Sequence, residues 1–242
     1  MLGLTADELR RRLAGQTILE VQRRAKYILL GLAGGDSLVI HLGMTGSLTL
    51  SNERADDGYR RCVFVLDDGR RLLFRDVRRL GNLRLLGSEQ LRTLDQRLGP
   101  EPLAGSFTPQ SLASRLNRKR SPIKAVLLDQ SMVAGLGNIY ADEALHRAGI
   151  HPLRAASSLN QAEIEALHAA VRMTLQEAIR DRGTTLSDYR DGYGRAGGHL
   201  PALRVYRRTG LPCLACGMAV ERLVVGGRST HFCPRCQPRT GR

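Results

Sequence analysis

Four cysteines near the C-terminus carry the most constrained chemistry in the chain. Cys213 and Cys216 form one C-x-x-C pair, Cys233 and Cys236 form another, and sixteen residues separate the pairs. Four thiolates so spaced suit a closed tetrahedral Zn²⁺ site. The insert alternates like two strands, Ala219–Val225 and Ser229–Phe232, around Gly226-Gly227, a hairpin turn signal. The expectation is a zinc ribbon with Arg228 at its tip. Two disulfides are the other reading, but no secretory signal precedes them, and C-x-x-C pairs in a reducing compartment favour metal. From this stretch alone, Arg228 reads as a solvated turn residue.

Charge narrows the partner. The 242 residues carry a formal net charge of +14, which points to an anionic polymer such as nucleic acid. From residue 201 onward Glu221 is the only acidic group, so the cysteine ribbon lies in a strongly positive part of the chain. The cations are almost all arginine; lysine occurs only at Lys26, Lys119 and Lys124. A compact ammonium can be kept where a fork of donors would not serve. No apolar run approaches a membrane span, and no membrane role is expected. Cys62, in the strand-like run Cys62–Leu66, reads as an inert core thiol.

The elements that must position these groups follow in order. Thr5 and Glu8 form a capping box opening a short helix that ends at Gly15. Strand-like runs come next: Thr17–Val21, Tyr27–Leu32, Leu38–Leu42, Ser47–Leu50, Cys62–Leu66, Arg71–Phe74 and Leu83–Leu86. Many short strands with regular turns predict an antiparallel sandwich or barrel, extending to about Leu98. After Gly99-Pro100 the pattern turns helical. Thr108-Pro109 and Ser121-Pro122 open two helices, and Asn138 sits where a third needs an N-cap. Asn160 with Glu163 starts a long helix with apolar residues at Ile164, Leu167, Val171, Leu175 and Ile179. Residues 184–203 hold four glycines and read as a mobile loop.

The stretch Ser121–Pro152 resembles the helix-two-turn-helix of the formamidopyrimidine-DNA glycosylase and endonuclease VIII family. Further motifs fall in family order: Arg23–Tyr27, His41–Ser47, Asp76–Gly81, Leu98–Pro102, Gly183–Leu186 and Arg228–Cys233. The resemblance implies an α+β, multidomain architecture: an antiparallel β-sandwich over residues 1–103, a helical domain with a lesion-recognition loop over 104–206, and a zinc ribbon over 207–242. It implies removal of oxidised purines, such as 8-oxoguanine and formamidopyrimidines, from damaged double-stranded DNA, followed by cleavage of the abasic strand. A bacterial cytoplasmic monomer is expected.

Residue roles follow from the same resemblance. Lys26 matches a lysine that assists β-elimination and contacts phosphate. Arg228 matches the ribbon-tip arginine that clamps phosphates and assists δ-elimination, moving it from turn residue to functional group. Lys119, Lys124 and Asn138 match phosphate contacts, so all three lysines fall on DNA-contacting positions. Met44, Arg78 and Leu80 match the triad that fills the space left by an extruded base; Leu80 stands where phenylalanine is more usual, and Met44 also reads as a core strand residue. Tyr59 lies near a DNA-contacting histidine of the family.

The family's nucleophile, a proline directly after the initiator Met, and its neighbouring glutamate have no match here. The chain begins Met1-Leu2-Gly3, its first proline is Pro100 and its first glutamate Glu8. The sequence is therefore expected to be N-terminally truncated, with an incomplete sandwich. The alternative function is a non-catalytic damaged-DNA-binding protein that keeps the phosphate contacts and the ribbon. A general zinc-ribbon binder is a third reading, which Lys26, Met44 and Arg78 argue against.

Overall fold

The computed structural model describes residues 5–51 and 57–239. Met1, Leu2 and Gly3, on which the expectation about the start of the chain rests, lie outside the described residues. The chain forms two compact units: residues 1–97 with 181–200, and residues 98–180 with 201–242. The loop after the long helix, grouped by sequence with the helical domain, thus belongs to the first unit, and the cysteine ribbon belongs to the second.

The first unit begins with α1 (Ala6–Leu13), whose capping box is formed as Thr5 and Glu8 predict. Seven strands follow: β1 (Ile18–Arg24), β2 (Tyr27–Leu32), β3 (Ser37–His41), β4 (Gly46–Ser51), β5 (Arg60–Val65), β6 (Arg71–Asp76) and β7 (Asn82–Leu86). They make two antiparallel sheets, ordered β1-β2-β3-β7 and β4-β6-β5. Alternation selects the inward set: Leu30, Leu32, Leu38, Ile40, Phe74 and Leu85 form the buried core, joined by Leu9 and Leu13 of α1. Burying each such side chain contributes about 1.5–3 kcal/mol. Sequence reasoning missed α2 (Ser88–Gln96), where Gln90 Oε1 accepts the Gly87 N–H at 3.1 Å. Its polar composition hides the helix, and Arg24 of β1 ties it down through Asp95 at 2.6 Å.

Residues 184–203 are more structured than glycine content suggests. Thr184 bridges Gly198, and Leu50 N–H of β4 donates to the Gly192 carbonyl at 2.8 Å. Asp191 Oδ1 accepts the N–H groups of Tyr193 and Arg195, both at 2.9 Å. The side chains of Asp191 and Thr185 supply the order that aliphatic periodicity does not; Thr185 Oγ1 donates to the Tyr189 carbonyl and accepts the Gly197 N–H, both at 2.9 Å.

The second unit packs α3 (Pro109–Leu116), α4 (Ile123–Leu128), α5 (Asn138–Ala148) and α6 (Gln161–Arg180) around one core that includes Leu112, Leu127, Leu145, Leu167 and Val171. Thr108 caps α3 with Pro109 at the first turn, and Asn160 with Glu163 caps α6 reciprocally, as the sequence predicts. Asn138 does not cap α5; Gly137 occupies that position in extended backbone and Asn138 is the first helical residue. Ile179, placed on the apolar face of α6 by periodicity, is 64% exposed, because Ala178 takes the buried position in the last turn. The unit ends in the hairpin β8 (Glu221–Val225) and β9 (Arg228–Phe232).

This packing predicts a contrast. Leu145→Ala, at a fully buried site, should cost about 2–5 kcal/mol in denaturant unfolding, whereas Ile179→Ala should change stability by less than about 0.5 kcal/mol.

Candidate nucleic-acid interface and metal centre

The four ribbon thiols converge. The Sγ atoms of Cys213, Cys216, Cys233 and Cys236 all lie within 4.8 Å of one another, with Cys216 and Cys233 at 3.4 Å and Cys213 and Cys236 at 3.9 Å. Four sulfurs at Zn–S distances of about 2.3 Å on a tetrahedron stand roughly 3.8 Å apart, so the set fits one zinc ion, and none of the cysteines is in a disulfide. His146 of α5 lies behind the cluster, with Nε2 3.5 Å from Cys213 Sγ. Burial, reinforced by Arg204 and Arg147, pulls this imidazole down to about 4. It is therefore neutral at pH 7, able to give an N–H to the sulfur as outer-shell partners of metal ligands do.

The hairpin that the cysteines hold carries Arg228. Gly226 and Gly227 have φ of 55° and 71°, the pair of positive values a tight two-residue turn demands. Val225 and Arg228 pair across it, leaving the Arg228 side chain exposed. The next residue, Ser229, is fixed from below. Its carbonyl accepts from Lys124 Nζ and from Asn138 Nδ2, both at 3.0 Å. Lys124 also pairs with Asp142 Oδ1 at 2.5 Å, and both side chains are wholly buried. Asp142 Oδ2 accepts the His231 backbone N–H at 2.9 Å, and His231 Nδ1 stands 3.2 Å away. Burial lowers the Lys124 ammonium from its ordinary value, against the opposing pull of Asp142.

Lys124 therefore departs from its sequence expectation. An ammonium with no exposed surface and two protein partners is not presented to a phosphate; it spends its donors on Asp142 and Ser229. Asn138 likewise holds the hairpin. Lys119 does stand exposed, in the basic run Arg118–Arg120 between α3 and α4. Arg118 there adopts φ of 66°, and the Lys119 carbonyl accepts the Ser157 N–H at 2.9 Å.

In the first unit the remaining residues project from turns. Lys26 is exposed in the β1–β2 turn, after Ala25 at φ of 52°. Burial first, then the charges of Lys26 and Arg84, lowers the His41 imidazole, so this corner is electropositive without a charged histidine. Met44 is 61% exposed in the β3–β4 turn, which excludes the core reading. Leu80 is 47% exposed, and Arg78 stands beside Met44, its Nη1 3.7 Å from the sulfur. The two turns touch at Gly43, where a Cβ would lie 2.7 Å from the Leu80 carbonyl carbon. Tyr59 is half exposed, with the Arg75 guanidinium 5.1 Å from its ring centre.

Asp76 joins these turns, a role sequence reasoning did not assign although the residue opens the motif Asp76–Gly81. Its buried carboxylate accepts Thr45 Oγ1 at 2.6 Å and the Gly81 N–H at 2.7 Å, while Thr45 Oγ1 accepts the Arg78 N–H at 3.1 Å. Burial would raise its carboxyl, but hydrogen bonds from Thr45, Gly81, Arg78 and Leu80 outweigh it and hold it below the usual range. Glu143 plays a similar part in the second unit, accepting the N–H groups of Arg204, Val205 and Tyr206 at 2.8–3.0 Å. Acidic side chains inside a basic chain were the available signal for both.

Comparison with known proteins covers most of the chain. Residues 2–83 match the formamidopyrimidine-DNA glycosylase N-terminal domain, 98–190 the formamidopyrimidine-DNA glycosylase H2TH domain, and 210–239 the zinc finger found in FPG and IleRS. The formamidopyrimidine-DNA glycosylase of Chloroflexus aurantiacus is 48% identical over 238 residues, covering 98% of this chain and 86% of its own. That of Herpetosiphon aurantiacus is 50% identical over 226 residues, covering 93% and 83%. Among solved structures, the MutM (Fpg) protein of Thermus thermophilus superposes with a TM-score of 0.86 at 48% identity, covering 94% of this chain and 85% of that one. A complex of Lactococcus lactis Fpg with DNA containing an abasic site gives 0.89 at 34% identity, covering 96% and 86%.

Two outcomes are expected from this geometry. Cys216→Ser should release one zinc per chain and melt the ribbon, read by metal analysis and by loss of hairpin amide protection; an unchanged metal content would contradict the site. Asp76→Ala should cost about 1–3 kcal/mol at pH 7. Because the folded carboxyl titrates below the unfolded one, its contribution is fully present above a pH of about 4 and is lost as pH falls through the folded value. The difference from the parent protein should therefore narrow as pH falls below about 4 in denaturant titrations.

Proposed function

This chain belongs to the formamidopyrimidine-DNA glycosylase family, and from that membership we propose how its residues serve base-excision repair of oxidised purines in duplex DNA. The observation that carries the reading is the exposed group Met44, Arg78 and Leu80 on turns clamped by Asp76. A protein that only tracks phosphates has no use for two large apolar side chains held outward beside an arginine. Inserted where a damaged base leaves the stack, they offset part of an unstacking cost of a few kcal/mol. Arg78 then offers donors to the unpaired opposite base.

Arg228 supplies a planar fork of donors suited to phosphate oxygens. Lys26 brings an ammonium to the phosphodiester, where it neutralises charge and can move a proton during β-elimination of the abasic sugar. Lys119 adds a sequence-independent phosphate contact, and Tyr59 lies within the same class of contacts. The segment Ser187–Val205 favours purine over pyrimidine lesions by its likeness to the formamidopyrimidine branch. Zinc, held by the four cysteines, supplies no chemistry to the reaction; it keeps the ribbon folded. The reading carries action as a monomer in the bacterial cytoplasm, supported by free thiols suited to a reducing compartment; among the described residues no helix is long and apolar enough to cross a membrane.

The protein should release base from a duplex holding 8-oxoguanine and cut the strand there, while an undamaged duplex stays intact; equal treatment of both would reject the reading. With Lys26, Lys119 and Arg228 on phosphates, the log–log salt slope of binding should be about −2.7, from roughly −0.9 per contact, and Lys119→Ala should lower it by about one.

A further inference from the structure

We infer that Lys124 and Asp142 are positioning residues for Arg228, acting through the hairpin backbone with no contact to DNA of their own. The inference rests on the reading of Arg228 as a phosphate clamp. Three observations carry it. The Lys124–Asp142 pair has no exposed surface, so neither group is offered to a ligand. Its free hydrogen-bonding capacity is spent on β9: Lys124 Nζ holds the Ser229 carbonyl, and Asp142 holds the His231 N–H. Ser229 directly follows Arg228, and its carbonyl takes a second donor from Asn138.

The physical logic is one of register. The two-glycine turn selects the pairing across the tip, but a lone two-stranded hairpin is only marginally stable in water and can fray or slip. The cysteines cannot prevent this at the tip, because Cys233 is five residues beyond Arg228. A buried ion pair with every partner named permits one arrangement, since a slipped strand would strand a charge in the interior. Thr230, between the two anchored residues, is wholly buried, so β9 is held on both sides of it. The Arg228 side chain is thereby launched from a fixed backbone, and less order remains to be imposed on it when phosphate binds.

A double-mutant cycle tests this, using affinity for a duplex containing a tetrahydrofuran abasic analogue. The variants are Arg228→Ala, the paired change K124M with D142N, which removes the charges together, and all three combined. Zinc content confirms an intact ribbon in each. Arg228→Ala should weaken binding about tenfold or more, as loss of a charged hydrogen bond does. The paired change should cost a comparable factor, and adding Arg228→Ala to it should cost less than about twofold more. Independent, multiplying losses would overturn the inference while leaving Arg228 as a clamp, and so would an undiminished affinity in the paired variant. No loss in Arg228→Ala alone would reject the clamp and the positioning role together. If the paired variant loses its zinc, Asp142→Asn alone, which keeps an oxygen acceptor for the His231 N–H, enters the same cycle with the same criteria.

Discussion

A lysine and an aspartate with no access to water are costly to place inside a protein, and the second unit is arranged so that the cost is met. Removing two charges from solvent is offset only when the pair is close and every remaining donor and acceptor is used. Lys124 and Asp142 go far towards this by reaching across to β9, taking the Ser229 carbonyl and the His231 N–H as their other partners. The pair can exist only with the hairpin seated on α4 and α5. The hairpin in turn is closed at its base by four cysteines and by Gln237, whose side chain accepts the Cys233 N–H and donates to the Ile150 carbonyl. Metal and ion pair thus fix the two ends of one short ribbon.

The same device recurs wherever a loop must be held. Asp76 gathers Thr45 and Gly81 so that Met44 and Leu80 stand outward from adjoining turns. Glu143 collects three successive N–H groups where the chain enters the ribbon. Short carboxylates accept several donors at once, which lets a turn carry exposed functional groups without an apolar core of its own. In a chain of net charge +14, the scarce buried acids do much of the positioning and the plentiful arginines face outward.

The sequence made most of the architecture legible, for identifiable reasons. Strand alternation located the seven sandwich strands within a few residues, and the caps at Thr5, Thr108 and Asn160 located three helix starts. The cysteine spacing gave the metal site outright, because four thiolates at two C-x-x-C pairs leave little else to do. Helix α2 was missed because its sequence, Ser88–Gln96, has no buried face to create a period. The motif puts Lys124 on phosphate because it records which residue stands at a position and not which way its ammonium points. Asn138 has the residue type of a cap, whereas its amide is taken by a carbonyl 91 residues away in the chain. In each case a tertiary partner decided between two uses that local sequence leaves equal.

On the proposed function, exposed side chains on clamped turns occupy the duplex when a damaged base leaves it. Fluorescence of 2-aminopurine placed opposite the lesion measures this directly, since the probe brightens when it loses its stacking neighbour. Binding should raise the signal on a lesion-containing duplex and leave an undamaged duplex dark, and Met44→Ala together with Leu80→Ala should abolish most of the rise without removing salt-dependent binding. A signal that rises equally on both duplexes, or that survives loss of both side chains, would contradict the account.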